Sequence, residues 1–185
     1  MQNVLEIKNR DEFRTWLQKN ASNKKECWLV LKRGKPKDDG LFYYLDAVEE
    51  ALCFGWIDST QKIVDGVRLQ RFSPRKQNGL WSELNKERVR RLEKLGLMTD
   101  AGRKVLPDMT FNPDEDVVNE LKSAGVWEEL QSFNPLYVRV RLYNVAFYKR
   151  LGRKEHEKAL AHLVEMTTQG KMYGEWNDYG RLLDY

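Results

Sequence analysis

The chain has 185 residues, of which 41% are hydrophobic and 32% are charged, and its formal net charge is +4. This length and hydrophobic content exclude an intrinsically disordered chain and suit one core, or one core with a small helical appendage. Because 28 acidic residues offset 32 basic ones, the total charge alone does not indicate a nucleic-acid partner.

The sequence has no sign of export or of a membrane span. Charged residues recur through Met1–Phe13, so no apolar segment of signal-peptide length is present there. The longest apolar runs, Cys27–Leu31 and Ala51–Ile57, are far shorter than the roughly 20 residues of a membrane helix. The two cysteines, Cys27 and Cys53, lie inside these runs, which favours buried thiols in a reducing compartment. We therefore expect a cytoplasmic protein without membrane insertion.

The first predicted elements are a strand, a helix and a second strand. Val4–Lys8 has the composition of a short strand, and Asn9 or Asp11 can cap a helix that continues to about Asn20. The continuous apolar run Cys27–Leu31 is typical of a strand that is covered on both faces. It is therefore predicted at the centre of a sheet.

A helix over Tyr43–Phe54 comes next, followed by a predicted β-hairpin. Ile57–Val64 and Val67–Ser73 flank Asp65-Gly66, the dipeptide that most favours a two-residue hairpin turn. Regular pairing around this turn places Val64 opposite Val67 and Lys62 opposite Leu69.

The same register extends to the polar residues of the hairpin. It places Thr60 opposite Arg71 and Asp58 opposite Ser73, so that Asp58 and Arg71 are diagonal neighbours on one face. The hairpin thus predicts that the side chains of Asp58 and Arg71 are within reach of each other.

The rest of the chain is predicted to be helical. The elements are Ser82–Leu95 with Ser82 as its cap, a short helix capped by Thr99 and ended by Pro107, Val117–Phe133, a helix opened by Asn134-Pro135, and about Lys154–Gln169. Val138–Leu142 alternates like a strand, but the cap and the longer period favour helix.

We predict an α+β fold: a small antiparallel sheet with a central β-hairpin packed against helices. Residues 1–109 would form its core and 117–185 a helical C-terminal region packed on it, in one cooperative domain.

Several segments carry a resemblance to a known bacterial family. They are Glu50–Asp58, Gln70–Lys76, Trp81–Asn85 and Met98–Gly102, in this order along the chain. With them the chain resembles the YdeI/OmpD-associated (bacteriocin-protection) family, from about residue 13 to residue 169. The resemblance implies an α+β fold and an association with resistance to envelope-directed toxins and antimicrobial peptides. It implies no established reaction and no catalytic residues.

The same segments predict an anion-binding pocket. Arg71 and Arg75 lead to the start of the Ser82 helix, where free backbone N–H groups and guanidinium groups together attract anions. The full predicted set is Trp56, Asp58, Arg71, Arg75, Trp81, Ser82, Asn85 and Arg88. In it Asp58 orients Arg71, Trp56 or Trp81 forms an apolar wall, and Asn85 and Arg88 share one side of the helix with Trp81. The leading hypothesis is a stress- or antimicrobial-resistance-associated binding protein for a small anionic ligand.

Three alternatives stay open. In the first, Asp58–Arg71 is an ordinary ion pair and both tryptophans belong to the core. In the second, the protein is an enzyme that acts on a small anionic metabolite, with Glu50 or Asp58 as general base. In the third, the protein binds nucleic acid, although the acids interleaved with the basic residues argue against this partner.

Other residues are assigned to structure. Glu49-Glu50 is predicted to be a solvated helix edge, and Cys53 a buried thiol without a catalytic role, since no histidine is near it in sequence. His156 and His162 are six residues apart and cannot bind one metal from one helix face. No metal or cofactor motif is present.

The apolar C-terminal segment Met172–Tyr185 is predicted to pack on the protein or on a second subunit, which leaves a homodimer open.

Overall fold

The structure is a computed structural model, and it describes residues 3–185. Over these residues it contains eight α-helices and one three-stranded antiparallel sheet, so the predicted α+β class is confirmed. In chain order the elements are α1 (Arg10–Asn20), β1 (Cys27–Val30), α2 (Tyr44–Cys53), β2 (Trp56–Val64), β3 (Val67–Pro74), α3 (Glu83–Lys94), α4 (Asp100–Arg103), α5 (Glu115–Ser123), α6 (Trp127–Ser132), α7 (Pro135–Tyr148), α8 (Arg153–Thr168) and a 3₁₀ helix (Asp178–Gly180). No helix of the described chain combines the length and the apolar character that crossing a membrane requires.

The chain separates into two compact units. The first contains the described residues up to Leu80, together with Arg88–Asp108 and Tyr185. The second contains Trp81–Glu87 and Met109–Asp184, so helix α3 contributes residues to both units.

The sheet of the first unit has the strand order β1-β3-β2, so the hairpin strand β3 is central and β1 is an edge strand. The prediction that Cys27–Leu31 lies at the centre was wrong. Its apolar character has another cause: the consecutive side chains of Cys27, Trp28 and Leu29 are all buried, so both faces of β1 are covered although it is an edge strand. An isolated backbone bridge also joins Val4 to Trp28. The Val4 bridge is isolated, so the predicted strand Val4–Lys8 does not form.

The hairpin forms around Asp65-Gly66 as predicted, with both turn residues at positive φ and with Val64 opposite Val67. Farther from the turn, an irregularity between Asp58 and Gln61 leaves Ser59 and Thr60 together opposite Arg71. Asp58 consequently pairs with Phe72, and the predicted Asp58–Ser73 register was wrong.

The extra residue changes which face of the sheet is occupied by the β2 side chains that lie beyond it, farther from the turn. Asp58 lies on the face of Phe72, and Arg71, the neighbour of Phe72 in β3, lies on the other face. Asp58 and Arg71 are therefore not neighbours on one face.

Side-chain caps begin several helices where the sequence predicts them. Asn9 Oδ1 accepts from the Glu12 N–H at the start of α1, and Ser82 Oγ accepts from the Asn85 N–H at the start of α3. Thr99 caps α4 and Asn134 caps α7 in the same way.

The predicted helix Val117–Phe133 is in fact two helices, α5 and α6. Gly125 stands between them at φ +71°, a left-handed conformation that ends α5.

The second unit has its own apolar core, formed by α5–α8 and the C-terminal segment. Val117, Leu121, Leu130 and Leu163 are completely buried in it. Trp176 and Leu182 join the same cluster, which confirms that the C-terminal segment packs on the protein. Their burial needs no second subunit.

Candidate functional site

The eight residues of the predicted anion pocket are distributed over both units. Trp56, Asp58, Arg71, Arg75 and Arg88 belong to the first unit, and Trp81, Ser82 and Asn85 belong to the second.

Arg71 forms an ion pair on the face of the sheet opposite Asp58. Its Nε lies 2.7 Å from Glu26 Oε2, and its Nη1 donates to Ser59 Oγ at 3.2 Å. Glu26 also accepts a hydrogen bond from the Trp28 indole at 3.1 Å. The predicted proximity of Asp58 and Arg71 was wrong, because the bulge turns the two residues to opposite faces, and Arg71 pairs with Glu26 instead.

Asp58 instead accepts a hydrogen bond from the Tyr44 hydroxyl at 2.5 Å. The Arg33 guanidinium stacks 3.6 Å from the centroid of the Tyr44 ring and donates to Gln70 Oε1. Burial, reinforced by the Asp58 carboxylate, raises the pKa of Tyr44 to about 12, and the positive charge of Arg88 opposes this rise. Asp58, Tyr44 and Arg88 therefore form one electrostatic cluster.

The two tryptophans of the predicted wall are both buried. Trp56 packs edge-on against Trp16 and donates its indole N–H to the Ala21 carbonyl oxygen at 3.2 Å. This places Trp56 in the core of the first unit. Trp81 is buried in the second unit and lines a cavity there.

The loop that carries Arg75 is held by backbone oxygens. The Arg75 N–H donates to the Gly55 carbonyl at 2.8 Å, and its guanidinium donates to the Leu80 carbonyl at 3.1 Å. In the second unit, the Ser82 hydroxyl is used to cap its own helix.

Glu49 and Glu50 are completely buried, so the predicted solvated edge was wrong. Glu50 accepts from Arg10 at 2.5 Å and from Arg14 at 2.8 Å, one arginine on each oxygen. Glu49 accepts from Arg10 and Arg91, both at 2.8 Å. The sequence pattern concealed this network because its arginines come from two other helices, α1 and α3.

The buried thiols have no acidic character. Burial, with smaller contributions from nearby carboxylates, raises the pKa of Cys27 and of Cys53 to about 12. The prediction that Cys53 is buried is confirmed.

The second unit contains a cleft of about 410 Å³. Its walls come from the C-terminal half of α7, the N-terminal part of α8 and the C-terminal segment. Its lining residues are Arg141, Asn144, Val145, Tyr148, Glu155, Lys158, Ala159, His162 and Tyr173. We call it the Arg141 cleft.

Arg141 is the most buried charged residue of this cleft, with 7% of its surface exposed. It donates through Nη2 to the Tyr173 carbonyl oxygen, while its Nε has no hydrogen-bond partner within the described chain. Its guanidinium lies 4.2 Å from the centroid of the Tyr173 ring. Lys158 and His162 lie at the exposed rim, as does one acid, Glu155.

Histidine and carboxylate positions do not converge on a metal site. His156 is buried between the Val145 carbonyl oxygen at 3.0 Å and Glu120 at 2.9 Å. Within residues 3–185, no group of three or more His, Cys, Asp or Glu side chains could hold a metal ion.

A family model described as "Domain of unknown function (DUF8412)" matches residues 5–105, which is more than half of the chain. The chain belongs to this DUF8412 family. No curated protein and no solved structure matches the chain.

The DUF8412 match covers α1–α4 and the sheet, and it ends before α5. All eight predicted site residues lie inside it, whereas every residue of the Arg141 cleft lies beyond it. The sequence pattern did not predict this cleft. The available signal was a pair of arginines, Arg139 and Arg141, set between the apolar residues of Val138–Leu142; once the segment is helical, Arg141 is buried and Arg139 is half-buried.

Proposed function

We propose that the protein binds a small anionic ligand with an apolar or aromatic part, and that the Arg141 cleft is the binding site. The observation that carries the proposal is a largely buried guanidinium whose Nε has no hydrogen-bond partner among residues 3–185 and whose side chain lines a cleft of about 410 Å³. Clefts of this size are typical of small-molecule sites.

The chemistry of Arg141 suits a carboxylate. A guanidinium presents five N–H donors in a planar fork, and carboxylates accept two of them in parallel. Leaving a buried donor unpaired costs about 1–3 kcal/mol, so a ligand oxygen that reaches Nε would recover stability that the free protein lacks. Lys158 adds positive charge at the rim, while Tyr148 and Tyr173 offer flat apolar surfaces.

Binding is favoured over the alternative of general-base catalysis in the first unit. The Glu50 carboxylate accepts one arginine on each oxygen, and Asp58 accepts the Tyr44 hydroxyl. Neither arrangement leaves a carboxylate poised to take a proton from a substrate. Nucleic acid is not favoured either, because several arginines are neutralised within the protein, among them Arg91 by Glu49 and Arg139 by Glu87.

The cellular role that we propose is resistance to envelope-directed antimicrobial peptides, and its support is the resemblance to the YdeI/OmpD-associated family. The expected result is that bacteria without the gene become more sensitive to such peptides and recover with the intact gene. Unchanged sensitivity would contradict the role without bearing on the ligand site.

The binding proposal is tested with a pair of ligands that differ in charge. Benzoate and benzamide have nearly the same shape, but only benzoate is anionic. We expect benzoate to shift the NMR resonances of the Arg141 Nε–H group and of Tyr173 in a saturable way, and benzamide to bind at least about tenfold more weakly. Equal binding of the two ligands, or shifts confined to other residues, would refute the site.

Variants separate binding from folding. Lys158→Gln changes an exposed rim residue, so we expect an unchanged melting temperature and a weaker, less salt-sensitive benzoate affinity. Lys154→Gln is the matched control, since it removes an exposed lysine of the same helix that does not line the cleft.

A further inference from the structure

The second unit contains another cavity, separate from the Arg141 cleft, with a volume of about 250 Å³. It is lined by Trp81, Glu83, Lys86, Thr110, Phe111, Asn112, Asp114, Leu142, Tyr143 and Ala146. No residue is shared with the Arg141 cleft. We call it the Glu83 cavity.

A buried ion pair forms the polar part of this cavity. The Glu83 side chain is 2% exposed and the Lys86 side chain 11%, and Lys86 Nζ lies 2.9 Å from Glu83 Oε1. Lys86 Nζ also donates to the Thr110 carbonyl oxygen at 3.1 Å. The two groups are one helical turn apart on α3 and are held against the segment that precedes α5.

Each partner of the pair retains hydrogen-bonding capacity. Glu83 Oε2 is buried and has no hydrogen-bond partner in the described part of the chain. An ammonium group has three N–H donors, of which Glu83 and Thr110 occupy two for Lys86. The cavity therefore combines an unpaired carboxylate oxygen with one remaining ammonium donor.

The charged residues that line the cavity are already paired, which favours a ligand without net charge. Glu83 and Lys86 neutralise each other, and Asp114, the other acid of the cavity, is paired with Lys149 at 2.7 Å. A ligand with a net charge would add an uncompensated charge to a partly desolvated site, which is costly. A zwitterion adds none, and it can place a cationic donor on Glu83 and an anionic acceptor on Lys86.

We infer that the Glu83 cavity binds a small zwitterion of the α-amino-acid class. The ligand ammonium donates to Glu83 Oε2, and the ligand carboxylate accepts from Lys86 Nζ. Both contacts are charge-assisted hydrogen bonds, which are about twice as strong as neutral ones. Phe111 and Leu142 supply apolar contacts for a short aliphatic side chain.

The test compares glycine and L-alanine with analogues that lack one charge or both. Titrations of the full chain use glycine, L-alanine, acetate, methylamine and acetamide, followed by NMR of the Trp81 indole N–H and of the Glu83 side-chain carboxyl. We expect saturable shifts with glycine and L-alanine, and at least about tenfold weaker binding of each analogue, since each loses a charge-assisted hydrogen bond. Binding of acetamide as tight as that of glycine would overturn the inference, as would the absence of any shift with glycine.

Variants give a second measurement. Glu83→Gln keeps the shape of the side chain but removes its charge, and we expect it to weaken glycine binding at least about tenfold. Glu129→Gln, at an exposed position of α6 outside the cavity, is the matched control and should bind glycine like the unaltered protein. If Glu83→Gln does not fold, the ligand series on the unaltered protein still decides the question. Undiminished glycine binding by a folded Glu83→Gln variant would overturn the inference.

Discussion

Arg141 and Tyr173 contact each other in two ways: the Arg141 guanidinium lies 4.2 Å from the centroid of the Tyr173 ring and also donates to the Tyr173 carbonyl oxygen. One side chain thus binds both the backbone and the ring of the C-terminal segment. Tyr173 in turn packs edge-on against Tyr137 of α7, as does Trp176. The C-terminal segment therefore forms one wall of the proposed ligand site and also completes the core of the second unit.

Deletion of Met172–Tyr185 is expected to destabilise the protein strongly. Trp176 and Leu182 are buried, and burial of one large apolar side chain contributes about 1.5–3 kcal/mol. We expect the free energy of unfolding, measured in urea, to fall by several kcal/mol and the transition of the second unit to broaden. A shortened chain with unchanged stability would show that the segment is dispensable.

Gly174→Ala tests the close approach of the C-terminal segment to Arg141. Gly174 has φ +67°, and a Cβ atom there would lie 2.9 Å from Arg141 Nη2. Gly170→Ala is the matched control, because Gly170 has φ +63° and open space around its Cβ position. Each alanine costs about 1–2 kcal/mol of left-handed strain, and we expect Gly174→Ala to lose more than its control and to weaken benzoate binding. Equal losses for the two variants would exclude a steric role for Arg141.

Glu50→Gln tests the buried ion network of the first unit. The substitution leaves Arg10 and Arg14 facing an uncharged group, and breaking one partner of a buried network costs about 3 kcal/mol or more. The control is Glu93→Gln, since the Glu93–Arg103 pair is largely exposed and should contribute little. Urea unfolding of both variants measures the difference. Similar losses of unfolding free energy in the two variants would mean that the buried network contributes no more to stability than an exposed ion pair.

The raised pKa values of the two buried cysteines predict that the free energy of unfolding falls at alkaline pH. Their pKa is raised from 9.0 to about 12, so the folded protein keeps these protons at a pH where the unfolded chain releases them. Their contribution is therefore complete below about pH 9 and is lost as the pH rises toward 12. We expect Cys53→Ala to flatten the decline in unfolding free energy between pH 9 and 11. In the native protein at pH 8, iodoacetamide should label Cys53 only on unfolding, and fast stoichiometric labelling would contradict this.

Local features of the fold followed from the sequence because each depends on residues a few positions apart. Asp65-Gly66 forms the hairpin turn because both residues tolerate positive φ, and Asn134-Pro135 begins α7 because a cap and a fixed φ need no distant partner. The burial of Cys53 was equally predictable, since it lies in an apolar run.

The partners of the charged residues were decided by tertiary structure. A single extra residue at Ser59-Thr60 moved Asp58 away from Arg71, and nothing in the local pattern marks that bulge. The buried charge of Glu50 is compensated by Arg10 and Arg14, which α1 brings to it from 40 and 36 positions away in the chain.

Turns, helix caps and apolar faces could be predicted from the sequence, because they arise from interactions within one or two turns of chain. Which charges are buried, and which cavities they line, depends on the tertiary fold, as with Arg141 and Glu83. This difference arises because an apolar side chain is stabilised by any apolar surroundings. A buried charge needs a specific partner at about 3 Å, and only the assembled fold determines whether that partner is there.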